Sequence, residues 1–289
     1  MPPVSHAPTP QIMGILNVTP DSFSDGGKFN HVEAAVAHAR EMIAEGADII
    51  DVGGESTRPG AEAVAEAEEL ARVVPVIEAL TAMLAAHADD TQIPHRQVRI
   101  SIDTRSPVVA RAALDAGAHI INDVNGARRP GMLELAAERD VPICMMHMQG
   151  EPETMQDNPY YEDCVGEVLA FLHERIEAAR AAGVADHNIV LDPGIGFGKR
   201  KEDNLDLMAA LQRFSDTGFK VLLGTSRKRF MGAICAEKVP AELLGATCAT
   251  TTLGVLAGIA WFRVHDVKAN RQAADVTFAL MQQGYRIRA

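Results

Sequence analysis

Val98-Arg99-Ile100-Ser101-Ile102-Asp103-Thr104 is an apolar, alternating run that ends on an acid and a hydroxyl. Ser106-Pro107 follows as a helix start, serine capping and proline at the first helical position, and Gly117 stops that helix. A second apolar run, His119-Ile120-Ile121-Asn122-Asp123-Val124, again ends polar. Strand, polar tip, helix and strand make one β–α–β unit, whose right-handed crossover lays the two strands parallel. The same unit recurs on either side. Apolar runs fall at 11–18, 47–53, 98–104, 119–124, 141–148, 189–194, 220–228 and 259–267, each with a polar or charged end. Stretches of helical periodicity separate them at 31–45, 63–86, 132–139, 161–182, 203–214, 241–256 and 268–283, with Pro75 expected to kink or divide the second. Eight repeats predict a single α/β domain, a (β/α)8 TIM barrel with its active site at the C-terminal strand ends.

Composition agrees with that reading. The 289 residues suit one barrel of about 250 residues with modest loops. Residues 1–10 read as a loose, proline-rich tail and 11–289 as the barrel. Aromatic residues are only 4% of the chain, so the core is aliphatic. A net charge of −12 argues against a general nucleic-acid or membrane-surface binder, and any anionic ligand must meet cations gathered locally. Four cysteines without metal-type spacing fit reduced thiols in the cytoplasm. The uncharged stretch 243–262 has nearly the length of a membrane span, but its threonines and glycines favour a buried helix followed by strand eight.

The tips differ in chemistry. Asn17 ends the first run; its carbonyl suits Mg²⁺ and its NH₂ a phosphate, although a turn-capping role satisfies the same pattern. Gly53-Gly54-Glu55-Ser56-Thr57-Arg58-Pro59-Gly60 presents backbone N–H groups and a guanidinium to an anion, or is a plain surface turn. Asp103, Asn122 and Asp192 follow wholly apolar strands, where unpaired polar groups cost roughly 2–7 kcal/mol. They need N–H donors from a ligand; a metal is the competing reading, without histidine or cysteine to support it. Cations collect on the last two tips, Arg227, Lys228 and Arg229, then Arg263 and His265, the barrel position that often receives phosphate. Arg227 and Arg229 are equally well read as solvated or salt-bridged. Gly194-Ile195-Gly196-Phe197-Gly198-Lys199 lacks Walker spacing and reads as a ligand-covering loop, and His147 as a structural histidine.

Taken in order, residues 17–26, 53–60, 101–104, 121–124, 192–197, 226–228 and 263–267 resemble the dihydropteroate synthases, a pterin-binding family. The resemblance implies condensation of 7,8-dihydropterin-6-ylmethyl pyrophosphate with p-aminobenzoate, giving 7,8-dihydropteroate and pyrophosphate by a dissociative displacement. It implies that Asp103, Asn122, Asp192 and Lys228 hold the pterin. Asn17, Arg58, Arg263 and His265 would hold pyrophosphate, with Mg²⁺ on Asn17. Phe23, Thr57, Pro59, Phe197, Ser226 and Lys228 would form the p-aminobenzoate pocket, and Asn17, Asp103, Lys228, Arg263 and His265 would be the catalytic set. A homodimer without nucleic-acid or membrane partners is also implied. A methyltetrahydrofolate-type methyltransferase would share the pterin-facing acid and amide but not the pyrophosphate site. A non-catalytic pterin-binding barrel is the other rival. If Arg263 serves the anion alone, its truncation should weaken pyrophosphate binding and spare free pterin.

Overall fold

The computed structural model describes residues 8–19, 28–55, 64–86, 97–152 and 154–285. Eight parallel strands, each hydrogen-bonded to the next and the last to the first, close a barrel. They are β1 (Gln11–Asn17), β2 (Ile49–Gly53), β3 (Arg99–Asp103), β4 (Ile120–Asp123), β5 (Ile143–Met146), β6 (Ile189–Asp192), β7 (Lys220–Leu223) and β8 (Trp261–Val264). All eight coincide with the apolar runs. Side-chain alternation assigns their faces. Met13, Ile49, Ile120, Cys144, Val190, Leu222 and Trp261 fill the interior as one buried cluster. The intervening Ile50, Val52, Ile100, Ile102, Ile121 and Val264 belong to the larger core under the helices.

Ten α-helices surround the barrel among the described residues. They are α1 (Lys28–Ala44), α2 (Glu66–Ala86), α3 (Pro107–Asp115), α4 (Met132–Arg139), α5 (Cys164–Ala181), α6 (Lys201–Ala209), α7 (Leu211–Ser215), α8 (Arg229–Cys235), α9 (Leu244–Leu256) and α10 (Val267–Gln282). Ser106 caps α3 as expected, its Oγ accepting from the N–H of Val108 and Val109. Three details depart from the pattern. Pro75 does not divide α2. It lies on the exposed face, where the carbonyl that loses its partner is open to solvent. The 203–214 stretch is two helices, broken at Ala210 (φ −102°, ψ 13°). And α8 begins directly after the seventh tip, where only charged tip residues had been read.

The 243–262 stretch holds the whole of α9 and the start of β8; the helix is buried on one face only, where Thr247, Thr251 and Gly254 point inward, while Leu244 and Leu253 are exposed. Among the described residues no single helix is long and apolar enough to cross a membrane.

Candidate active site

Strand register puts one ring of side chains at the C-terminal end. Asn17 pairs with Gly53, Gly53 with Asp103, and Asp103 with Asn122. One step deeper, on the same face of β2, lies Asp51, fully buried. It is the hub of the site. Asn122 donates from Nδ2 to Asp51 Oδ2 at 3.1 Å. Arg263, reaching in from β8, donates from Nε to Asp51 Oδ2 at 2.6 Å and from Nη2 to Asp103 Oδ2 at 2.7 Å. Oδ1 of Asp51 and Oδ1 of Asp103 are buried without a hydrogen-bond partner. Buried acceptors are seldom left in that state, and both lie at the pocket end of the barrel.

The electrostatics follow from burial. Desolvation raises the Asp103 carboxyl to about 7 against the opposing pull of Arg263. Desolvation likewise raises Asp192 to about 6, although its Oδ1 accepts from the Gly194 N–H at 2.7 Å and Lys228 is near. Burial lowers Lys228 to about 8, with Asp192 opposing. For Arg263 burial acts downward, but Asp51 and Asp103 outweigh it and hold the guanidinium charged. Asp103, Asp192 and Lys228 are therefore pushed toward neutrality, while Arg263 keeps its charge.

The seventh and eighth tips are tied together. Ser226 Oγ accepts from the His265 N–H at 3.2 Å and lies 3.0 Å from His265 Nδ1. Arg227 turns the chain with φ 59°, a conformation that non-glycine residues seldom adopt, and its guanidinium forks onto Asp266 at 2.8 and 3.1 Å. That turn ends one residue before α8, with Lys228 as the N-cap residue. The Lys228 Nζ sits 3.9 Å from the centroid of the Phe197 ring, a cation–π contact.

The structure thus gathers Asp103, Asn122 and Arg263 through Asp51, joins Ser226 to His265, and joins Lys228 to Phe197. Phe23, Thr57, Arg58 and Pro59 lie outside the described residues. Arg263 is placed differently from a residue serving an anion alone: its Nε and Nη2 compensate two buried acids. Two residues were missed in the sequence. Asp51 was passed over as part of an apolar run, although its parity with Gly53 placed it inside. The partner of His147 is Lys199, whose Nζ lies 2.9 Å from His147 Nδ1.

Among the described residues no group of three or more histidine, cysteine, aspartate or glutamate side chains could hold a metal. The Asn17 amide, at the same rim, suits an ion that arrives with a phosphate ligand. Mg²⁺ keeps several waters and often takes only one or two protein ligands.

Comparison with known proteins agrees with this geometry. A family model described as pterin binding enzyme matches residues 13–265. Dihydropteroate synthase of Clostridium beijerinckii is 47% identical over 274 residues, covering 94% of this chain and 94% of that protein. The Yersinia pestis dihydropteroate synthase solved with a sulfonamide drug complex superposes with a TM-score of 0.85 at 42% identity, covering 95% of each chain. The Xanthomonas albilineans dihydropteroate synthase solved with 4-aminobenzoic acid gives 0.84 at 47% identity, covering 94% of this chain and 93% of that one.

Proposed function

Because the chain belongs to the dihydropteroate synthase family of pterin-binding enzymes, we propose that it joins 7,8-dihydropterin-6-ylmethyl pyrophosphate to p-aminobenzoate in folate biosynthesis. The observation that carries this reading is the buried acid and amide floor with unpartnered oxygens on Asp51 and Asp103. A ring edge rich in N–H donors completes it. Asp192 presents its free Oδ2 and Asn122 its Oδ1 as further acceptors, since Asp192 Oδ1 and Asn122 Nδ2 are already engaged. Lys228, charged below about 8, faces the same ring and meets Phe197, the wall assigned to the aromatic amine.

The reaction breaks the bond between the pterin methylene and the pyrophosphate oxygen, and the electron pair leaves with pyrophosphate. Mg²⁺ carried by that group would supply charge neutralisation at the leaving oxygens, with Asn17 as its protein ligand. Arg263 Nη1, the guanidinium nitrogen not engaged by Asp51 or Asp103, is the donor available for a phosphate oxygen. His265, held by Ser226, stands on the same rim. Developing positive charge on the methylene is stabilised by the carboxylates beneath the ring. The p-aminobenzoate nitrogen then forms the new C–N bond and gives up a proton to water or to the departing pyrophosphate. The neutral amine needs placement more than activation, so the absence of a dedicated base in this scheme costs little.

Pyrophosphate release should require p-aminobenzoate and Mg²⁺ together, followed by coupled phosphate detection. Pterin binding without any release would instead favour the non-catalytic barrel. Four free cysteines suit a reducing compartment, the cytoplasm. A homodimer is the proposed assembly, through the adjoining helices α9 and α10, where Leu253, Val276 and Leu280 are 48%, 62% and 51% exposed. Val276→Glu with Leu280→Glu should convert a dimer to a monomer in sedimentation equilibrium; an unchanged mass would move the interface elsewhere.

A further inference from the structure

The loop after β6 is built around a buried ammonium that the reaction scheme does not use. Lys199 is 3% exposed. Its Nζ donates to the carbonyls of Gly194 at 2.9 Å and Phe197 at 3.0 Å, both in its own loop. On the neighbouring tip it lies 2.9 Å from His147 Nδ1 and 3.4 Å from the His147 carbonyl oxygen, just past β5. Among the described residues no carboxylate lies within ion-pair distance of it. An ammonium offers three donors, and here backbone carbonyls and one imidazole take them all. The chain wraps Lys199 much as it would wrap a small cation.

The wrapping needs close backbone approach. A Cβ on Gly194 (φ 68°) would fall 1.9 Å from the His147 carbonyl oxygen. One on Gly196 (φ 81°) would fall 2.9 Å from Lys228 Cδ. The loop is thus pressed against the His147 backbone on one side and the Lys228 stem on the other, with the Phe197 ring beneath the Lys228 ammonium. Asn204 Oδ1 accepts from the Gly196 N–H at 2.6 Å and fixes the outer turn. The caged cation is the inner fastening.

We propose that Lys199 is a positioning residue: by holding the carbonyls of Gly194, Phe197 and His147 on one ammonium, it sets the Phe197 wall against Lys228 and so controls affinity for the aromatic amine substrate. This rests on the reading of Phe197 as part of the p-aminobenzoate site. The charged groups facing Lys199 are few. Asp192 of β6 and Asp203 of α6 favour its charge, whereas Lys228 opposes it. Cys164 of α5 faces it as a thiol that burial pushes up to about 12. His147 faces it as a neutral ring, driven down to about 2 by burial and by Lys199 itself. Burial lowers Lys199 to about 7. Below about pH 7 Lys199 is an ammonium with three donors for the cage, held against the cost of burial; above it the neutral amine keeps two donors and the cage loosens.

The test separates the two substrates. Lys199→Met should raise the KM for p-aminobenzoate about tenfold and leave the KM for dihydropterin pyrophosphate within about threefold. It should also move the His147 imidazole upward from about 2 by removing the Lys199 charge while burial still holds it below its ordinary range, read by NMR, whereas a general loss of packing would return it to that range in full. Adding Phe197→Ala to Lys199→Met should raise the p-aminobenzoate KM by far less than Phe197→Ala does alone. An unchanged p-aminobenzoate KM with an unshifted His147 would overturn the proposal. If Lys199→Met fails to fold, the wild type serves. Its p-aminobenzoate KM should rise with the midpoint at which the ¹⁵N-labelled Lys199 ammonium titrates, and independent midpoints would overturn the proposal equally. A wild type without turnover would sink the enzymatic reading instead, leaving the His147 readout to judge Lys199.

Discussion

Asp192→Asn should weaken pterin binding on the order of a hundredfold or more and, in the same protein, raise the melting temperature. The two effects have one cause. Asp192 is buried at the end of β6, and desolvation raises its carboxyl to about 6, so at pH 8 the fold carries a charge that its surroundings disfavour. The sign follows from the raised pKa. The stabilisation due to protonation is fully present below the unfolded value of 3.8 and is lost as pH rises through about 6. A neutral asparagine removes that cost. The gain should be about 1–3 kcal/mol at pH 8, or roughly 2–4 °C per kcal/mol, and should vanish near pH 4. Binding moves the other way. The Gly194 N–H at 2.7 Å will claim the amide oxygen, which turns the new NH₂ toward the pocket. A donor then stands where the pterin edge presents donors. Losing a charge-assisted hydrogen bond costs about 1.5–3 kcal/mol, and the donor clash adds to it, so affinity should fall on the order of a hundredfold or more. Calorimetric titration with a pterin and thermal unfolding at pH 8 and pH 4 check both halves. A variant that binds pterin normally, or melts lower at pH 8, would remove Asp192 from the floor.

The same principle separates what was legible in the sequence from what was not. The strand tips were legible because an acid or amide after Ile189-Val190-Leu191 or Ile120-Ile121 breaks a pattern that packing alone would continue. Asp51 breaks the pattern too, but two residues before the tip and between Ile50 and Val52. Only the faces assigned by the β1–β2–β3 register make it a floor residue. Helix α8 is seven residues long with no side-chain cap at Lys228, so it offered neither periodicity nor a start signal. Lys199 is the hardest case. All its partners but the His147 imidazole are backbone carbonyls, which leave no trace in residue identity, and glycine spacing announces only a loop. Local chemistry was readable where a polar side chain broke an apolar run; it was silent where a side chain met backbone carbonyls.

Arg263 illustrates how a contact across the barrel changes an expected result. A guanidinium serving only pyrophosphate could be removed at the cost of one charge-assisted hydrogen bond. Here its Nε and Nη2 compensate Asp51 and Asp103, both buried. Arg263→Met therefore leaves two carboxylates facing each other in a site that already resists charge. Removing one partner of a buried ion pair costs about 3–5 kcal/mol, and the protein should lose that much stability at pH 8. The loss should be smaller at low pH. Desolvation already raises Asp103 to about 7 with Arg263 opposing it, so without the arginine Asp103 should move higher still and hold a proton at neutral pH. An acid with a raised folded pKa loses its stabilising proton as pH rises through that value. The variant's melting temperature should therefore fall more steeply than the wild type's between about pH 6 and 9 and approach it below pH 5. A protonated Asp103 is also a poorer acceptor, so pterin affinity should fall along with pyrophosphate affinity, most plainly at neutral pH. Arg263→Lys, with a point charge in place of a fork, should restore stability in part while leaving turnover low, because one ammonium cannot hold both acids in the same plane. Parallel melting curves for the variant and wild type across that pH range, with pterin affinity intact, would return Arg263 to the anion alone.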